Sequence, residues 1–305
     1  MFKIMNLRSV PPASFETPES LTEFITHFDD SQPSRMLQRI AFPVMTALLP
    51  RVGYDLGAPE EITEHLDDRG QVYVMPDHKE RMDIPVDTGA VYRSRALHRI
   101  LIEGLDIESQ PENFDAHPWA SIVLRELGAD GLGRTEDLKN PRFGTPPDRV
   151  EEFKALAMPL QMAISAKHIN SGRHHATYWT GGRRGKKGRP LERLTPGDVK
   201  NGVLERLEAI DDPDRVRLVF AGMDYSDALI LRPFGVKLTF GVNVAFSRPH
   251  AIPGDRDAMR ELIAGETQKC DDAAAWMTQN LTPGPAVRLL KALVKTERNI
   301  VTDAQ

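Results

Sequence analysis

His78 and Asp83 are the pair whose types and spacing suit proton chemistry. His78 follows the apolar run Gln71-Val-Tyr-Val-Met-Pro76, and four residues separate it from Asp83. A strand that delivers a histidine at its carboxyl end, with a carboxylate about one helical turn further on, supplies a base and a group to orient its ring. The same pair also suits a turn-capping histidine followed by a first-turn carboxylate, which a helix N-terminus favours anyway. Spacing alone decides little. About 0.7 such pairs are expected by chance in a chain with 9 histidines, and His250 to Asp255 repeats the pattern. A metal reading of Asp77, His78, Asp83 and Asp87 lacks a second histidine at ligand spacing, so no metal is expected.

The second chemical stretch is Gly181-Gly-Arg-Arg-Gly-Lys-Lys-Gly-Arg189. Its glycines allow backbone N–H groups to approach a phosphate closely, and Arg183 can clamp one in a bidentate manner. The glycine and lysine spacing does not fit the phosphate loop of nucleotide hydrolases. A solvated basic loop is the plainer account. Arg184, Lys186 and Lys187 also suit anionic lipid head groups or a nucleotide-bearing donor.

These residues sit in a chain of 305 residues, long enough for a substantial core. A net charge of −5 argues against a general nucleic-acid binder. Cys270 is the only cysteine, which excludes an intramolecular disulfide and a cysteine metal cluster and fits a reducing, cytoplasmic setting. No run approaches the roughly 18 apolar residues a membrane span needs, and the N-terminus lacks a secretory core.

The positioning elements follow from period. Thr17-Pro18 predicts a helix start, and a second N-terminal helix is expected over Ser34 to Leu49, either covering the core or touching lipid. Gln71 to Met75 reads as a strand, Val91 to Leu105 as a helix, His117 to Leu127 as an amphipathic helix, and Asp148 to Asn170 as a long helix closed by Gly172. Strands are expected at His175 to Trp179 and Val216 to Ala221. Another is expected over Val236 to Phe246, whose alternation predicts one half-exposed or edge strand. Helices are expected near Asp198 to Leu207, from Asp255 to about Leu281, and over Ala286 to Lys295. Trp119 and Trp276 are assigned to packing. Interleaved strands and helices predict an α/β fold with a largely parallel central sheet flanked by helices. An N-terminal helical segment, 1–66, is expected to precede the α/β domain, 67–305.

The order of these parts resembles the glycerol-3-phosphate and lysophospholipid acyltransferase superfamily. His78 and Asp83 match its first block, and Leu127-Gly128-Ala129 through Gly133-Arg134 is similar to its second. Tyr178-Trp-Thr-Gly-Gly-Arg183 resembles the third, and Val216 to Tyr225 supplies the apolar strand and turn of the fourth. Asp77 and Glu80 replace the usual Asn and Ser of the first block, and Thr180 replaces the usual Glu of the third.

The resemblance implies a fatty acyl transfer from an acyl thioester, coenzyme A or acyl carrier protein, to the hydroxyl of glycerol 3-phosphate or a lysophospholipid. It implies His78 as base, Asp83 as its orienting group, and Arg134, Gly181, Gly182 and Arg183 as phosphate ligands. No cofactor is implied beyond the thioester co-substrate. The implied place is the inner face of a membrane, held peripherally. The three replacements keep open a catalytically silent relative that binds a lipid or an acyl carrier.

Overall fold

The structure is a computed structural model that describes residues 13–29, 51–52, 59–79, 83–109, 129–131, 135–180, 192–226, 228–231, 238–282 and 287–293. The expected helices at Ser34 to Leu49 and His117 to Leu127, with Trp119, lie outside these residues, as do Arg134 and the block from Gly181 to Arg189.

The core is a mixed sheet between two helical layers. Its strands are β1 (Arg51–Val52), β2 (Gln71–Pro76), β3 (Leu105–Ser109), β4 (Ala129–Gly131), β5 (His174–Ala176), β6 (Val216–Asp224), β9 (Asn243–Phe246) and β10 (His250–Ala251). The order across the sheet is β4-β3-β5-β2-β6-β9-β1, with β10 also on β6. From β4 to β6 all neighbours are parallel; β9 and β10 run antiparallel to β6, and β1 is parallel to β9. A separate antiparallel pair joins β7 (Leu229–Leu231) to β8 (Leu238–Phe240). The fold is α/β.

Both faces of the sheet are covered, so the central strands are apolar throughout rather than alternating. Val72 and Val74 of β2 and Val219, Ala221 and Met223 of β6 meet Val86, Ala90, Leu97 and Ile100 on one side. Val86 and Ala90 come from α3 (Asp83–Arg93) and Ile100 from α4 (His98–Glu103), whose N-cap is Leu97; both helices follow α2 (Pro59–Asp67) in the same layer. On the other side Tyr73, Met75, Leu218 and Phe220 pack against Leu204, Leu207, Ile263 and Cys270. Those belong to α7 (Asn201–Glu208) and α8 (Arg256–Asn280), whose N-cap Asp255 accepts from the Asp257 and Ala258 amides at 3.1 and 2.9 Å.

A third cluster joins α1 (Pro18–Thr26) to α6 (Val150–Asn170) through Phe15, Phe24, Phe28, Phe143 and Phe153. Thr17 and Ser20 close a capping box on α1, and Pro18 occupies its first turn. Gly172 ends α6 at φ 96°, a left-handed conformation that a side chain would strain. The short α5 (Thr135–Leu138) lies between β4 and α6.

Three expectations are corrected. Within the expected strand Val236 to Phe246 the described residues form two strands, because Gly241 at φ 77° turns the chain between β8 and β9. The second of them is interior, with Val244 and Phe246 in one core and Ala245 in another. Val91 to Leu105 is not one helix. The buried Ser94 breaks it, its Oγ accepting from the Leu97 amide at 2.9 Å, and Leu105 already belongs to β3.

Candidate functional site

Strand order places the site. From β2 the chain moves across to β3, two positions away, whereas from β5 it crosses over β2 in the opposite direction to reach β6. The carboxyl ends of β2 and β5 therefore flank a topological switch point, where open α/β sheets form their ligand crevices. His78 and Tyr178 leave these two ends, each two residues beyond its strand. Their rings lie 4.9 Å apart, centroid to centroid, inclined at 44°.

Each neighbour has a positional cause. Proline has no N–H to extend the ladder, and β2 stops at Pro76, although the Asp77 amide still donates to Ala221 O at 3.2 Å. Beyond the strand the side chains part company. His78 turns toward Tyr178, whose Oη donates to Asp87 Oδ2 on α3 at 2.7 Å. Asp83 is the first residue of α3, one turn before Asp87, so the two positions share a helix face. His78 is buried at 7% exposure, and so is Asp87.

Asp77 and Lys79 turn the other way, toward α8. Lys79 Nζ donates to Asp271 Oδ1 and to Met223 O, both at 2.6 Å, and lies 4.0 Å from Asp77 Oδ2. All three side chains are buried or nearly so, with Asp77 at 0%, Lys79 at 7% and Asp271 at 10%. The helix reaches this close because Gly222 has no side chain. A Cβ there would fall 2.2 Å from the Asp271 nitrogen. The turn that carries His78 is thus pinned to α8 by a buried ion pair. Lys79, Asp271 and Gly222 escaped the sequence reading: Lys79 and Asp271 are 192 positions apart, and no periodicity links them.

Thr180, which stands where the resembling family has Glu, is 8% exposed, and its Oγ1 has no hydrogen-bond partner among the described residues. Trp179 beside it is fully buried and donates through Nε1 to Thr267 Oγ1 at 3.1 Å. The described residues therefore bring His78, Tyr178 and Asp87 together, with α3 opening on Asp83. Arg134, Gly181, Gly182, Arg183, Arg184, Lys186 and Lys187 fall outside them. No group of three or more His, Cys, Asp or Glu that could hold a metal ion occurs among the described residues.

The opposite rim of the sheet is also rich in titratable groups, but these are joined to one another. His174 Nδ1 accepts from the Val72 amide at 3.1 Å and its Nε2 meets Glu103 Oε2 at 3.1 Å, which fixes the neutral tautomer that carries its proton on Nε2. Burial, the largest influence, pushes the His174 pKa down, and the Glu103 contact only partly opposes it. Asp106, fully buried in β3, is bonded to Arg173 and lies 3.4 Å from His168 Nδ1. The second His-to-Asp spacing has a structural use, since Asp255 caps α8 while His250 Nε2 sits 3.3 Å from Glu266 Oε2. A recess of about 510 Å³ between α5 and the start of α6, lined by Leu138, Pro141, Thr145 and Val150, contains none of the His78 constellation.

No family model matches the chain, and no curated protein matches it either. Among solved structures it is similar to the 1-acyl-sn-glycerophosphate (LPA) acyltransferase PlsC from Thermotoga maritima. The two are 13% identical, with 87% of this chain and 83% of that one covered, at a TM-score of 0.47.

Proposed function

We propose that this chain is an O-acyltransferase that moves a fatty acyl group from an acyl thioester to the hydroxyl of glycerol 3-phosphate or a lysophospholipid. The observation that carries the reading is the position of His78. It stands at the carboxyl end of the central parallel strand, at the switch point, against Tyr178 and just ahead of a helix that opens on Asp83. The motif order of the sequence supports the same reading.

In the reaction His78 accepts the acceptor's hydroxyl proton while that oxygen attacks the thioester carbonyl. Asp83 holds the imidazole in the useful tautomer, as in a triad whose nucleophile belongs to the substrate. The tetrahedral intermediate collapses with cleavage of the carbon–sulfur bond. The departing thiolate takes the proton from the imidazolium, which leaves an ester, a free thiol and neutral His78. Arg134, Gly181, Gly182 and Arg183 bind the acceptor phosphate in this proposal, and Arg184, Lys186 and Lys187 meet the donor or a head group. No cofactor takes part beyond the donor itself. The protein works at the cytoplasmic face of a membrane; among the described residues no helix is long and apolar enough to cross one.

The test is release of free thiol from a panel of acyl-coenzyme A and acyl carrier protein donors, with glycerol 3-phosphate and several lysophospholipids as acceptors. Acceptor-dependent release should fall by about 10²- to 10⁴-fold in His78→Ala. The alternative is a silent relative that binds lipid or acyl carrier, for which the site threonine at position 180 is the motivating difference. It predicts ligand binding without release, unchanged by His78→Ala. Release from no pair by a folded protein rejects the enzymatic reading.

A further inference from the structure

Four large apolar side chains stand in solvent among the described residues, and three of them belong to the last part of the chain. Trp276, near the end of α8, is 57% exposed; Leu289 and Leu293, in α9 (287–293), are 63% and 54% exposed. The expectation that Trp276 serves packing is thereby corrected. A tryptophan half in water and two leucines one helical turn apart are large apolar side chains that stay exposed among the described residues.

The geometry of α8 locates this face. Cys270 Sγ donates to Phe220 O at 3.6 Å, Asp271 lies over Gly222, and Thr278 Oγ1 accepts from Asn243 Nδ2 at 2.7 Å. Asn243 is in register with Asp224, the last residue of β6. The helix thus advances in the same direction as β6, and its end arrives at the carboxyl rim of the sheet. The α9 segment is held at the same rim, since Val287 Cγ1 lies 3.0 Å from the position a Cβ would take on Gly241. Two residues beyond Val287 is a rotation of about 200°. Leu289 therefore points away from the side that Val287 packs, and Leu293 follows one turn later. His78 leaves the sheet at this same rim.

Charge identifies the occupant. Residues 282–296 contain Arg288, Lys291 and Lys295 and no Asp or Glu, in a chain whose net charge is −5. A local cationic stretch beside outward leucines and a tryptophan is complementary to anionic head groups over an acyl layer. Tryptophan is enriched at that boundary because its ring is apolar with one polar edge.

We infer that Trp276, Leu289 and Leu293, flanked by Arg288 and Lys291, are the docking surface for an anionic lipid bilayer, which brings the His78 rim to head-group level. The choice of a bilayer rests partly on the acyltransferase reading, since a lysophospholipid presents its hydroxyl at that depth.

The experiment is flotation of the full chain with vesicles of phosphatidylcholine containing phosphatidylglycerol, against pure phosphatidylcholine, with no substrate added. Wild type should float with the anionic vesicles and less at high salt. Leu289→Ser/Leu293→Ser should weaken binding about tenfold or more, and Arg288→Gln/Lys291→Gln should weaken it on anionic vesicles. His78→Ala should bind like wild type. These positions lie at the surface, and unchanged thermal unfolding of each variant separates lost docking from lost folding. The inference fails if wild type floats with neither vesicle, or if the leucine variant floats as well as wild type. A concentration-dependent dimer that the leucine substitutions split, without vesicle binding, assigns the face to a second copy and also rejects it. Vesicle binding without thiol release leaves the surface standing and rejects the enzymatic reading; thiol release without vesicle binding does the reverse.

Discussion

Lys79→Met removes the cation that joins the His78 turn to α8, and its cost follows from the geometry. The ammonium has Asp271 Oδ1 at 2.6 Å and Asp77 Oδ2 at 4.0 Å, with all three side chains at 10% exposure or less. At an effective dielectric near 20 the closer attraction is about 6 kcal/mol and the second about 4 kcal/mol before desolvation is counted. Desolvation of a buried pair offsets most of that gain, so replacing the whole pair by apolar groups is expected to be nearly neutral. Removing one partner is different, because two carboxylates stay buried without their cation. The expected loss is about 3–5 kcal/mol. The assay is urea unfolding at neutral pH, read as a lower midpoint at constant m. Lys79→Met/Asp271→Leu should cost less than the sum of the single variants, with an interaction energy of about 1–3 kcal/mol. A loss below about 1 kcal/mol in Lys79→Met, the range of exposed pairs, or strict additivity in the cycle, would refute the pinning argument.

Gly222→Ala should destabilise by about 1–3 kcal/mol through overpacking, since its Cβ meets the α8 backbone at 2.2–2.3 Å; an unchanged melting temperature would show that α8 can yield there. Tyr178→Phe deletes the 2.7 Å bond to Asp87 and leaves a buried carboxylate short of a donor, at about 1.5–3 kcal/mol. Chemical denaturation reads that loss, and a change below 0.5 kcal/mol, the usual limit for an uninvolved surface site, would contradict it. For pH, burial holds the folded-state pKa of His65, His174 and His250 below the ordinary 6.5. Below about pH 6.5 the unfolded chain binds protons the native state refuses, so stability should fall with acidification and level off only below the folded values. His174→Asn retains an acceptor for the Val72 amide and should flatten that slope below about pH 6.5; an equally steep slope would remove His174 from the account.

Much of the fold was legible where a local signal and a tertiary need agree. Thr17-Pro18, Gly172 and Asp255 mark real helix ends, because caps satisfy backbone groups that any helix leaves open. The apolar runs of β2 and β6 read as strands because both of their faces are buried. The strand β3 was missed. Leu105-Asp-Ile-Glu-Ser looks half polar, yet Asp106 is fully buried, bonded to Arg173 and 3.4 Å from His168 Nδ1, both from distant parts of the chain. Period two also failed at Gly241, since alternation continues in sequence through a turn that carries the chain from the β7-β8 pair into the main sheet. His78 was visible as a residue just past a strand end, whereas Tyr178 was read inside an expected strand, His175 to Trp179, and β5 in fact ends at Ala176. Asp271, the partner of Lys79, and Gly222 were not visible, because a glycine that admits a helix backbone looks like any other glycine until the helix is in place.

The two rims of the sheet show why the same residue types carry different weight. At the amino rim, His174 with Glu103, Asp106 with Arg173, and Gln71 with the Ile169 carbonyl are matched pairs that hold strands and helices in place. A histidine whose Nδ1 accepts a strand amide cannot take up a proton there without breaking the ladder's neighbour, so its basicity is already committed to structure. At the carboxyl rim the neighbouring charges, Asp77, Lys79 and Asp271, are drawn to α8, and His78 is left on the α3 side with an aromatic ring and the helix start. The ion pair thus holds the turn from the α8 side, while the imidazole ring faces Tyr178. In the proposed reaction that rigidity has a use, because general-base catalysis depends on holding one nitrogen within hydrogen-bond reach of the attacking hydroxyl. The Lys79 variants test whether the buried ion pair fixes the turn that carries His78.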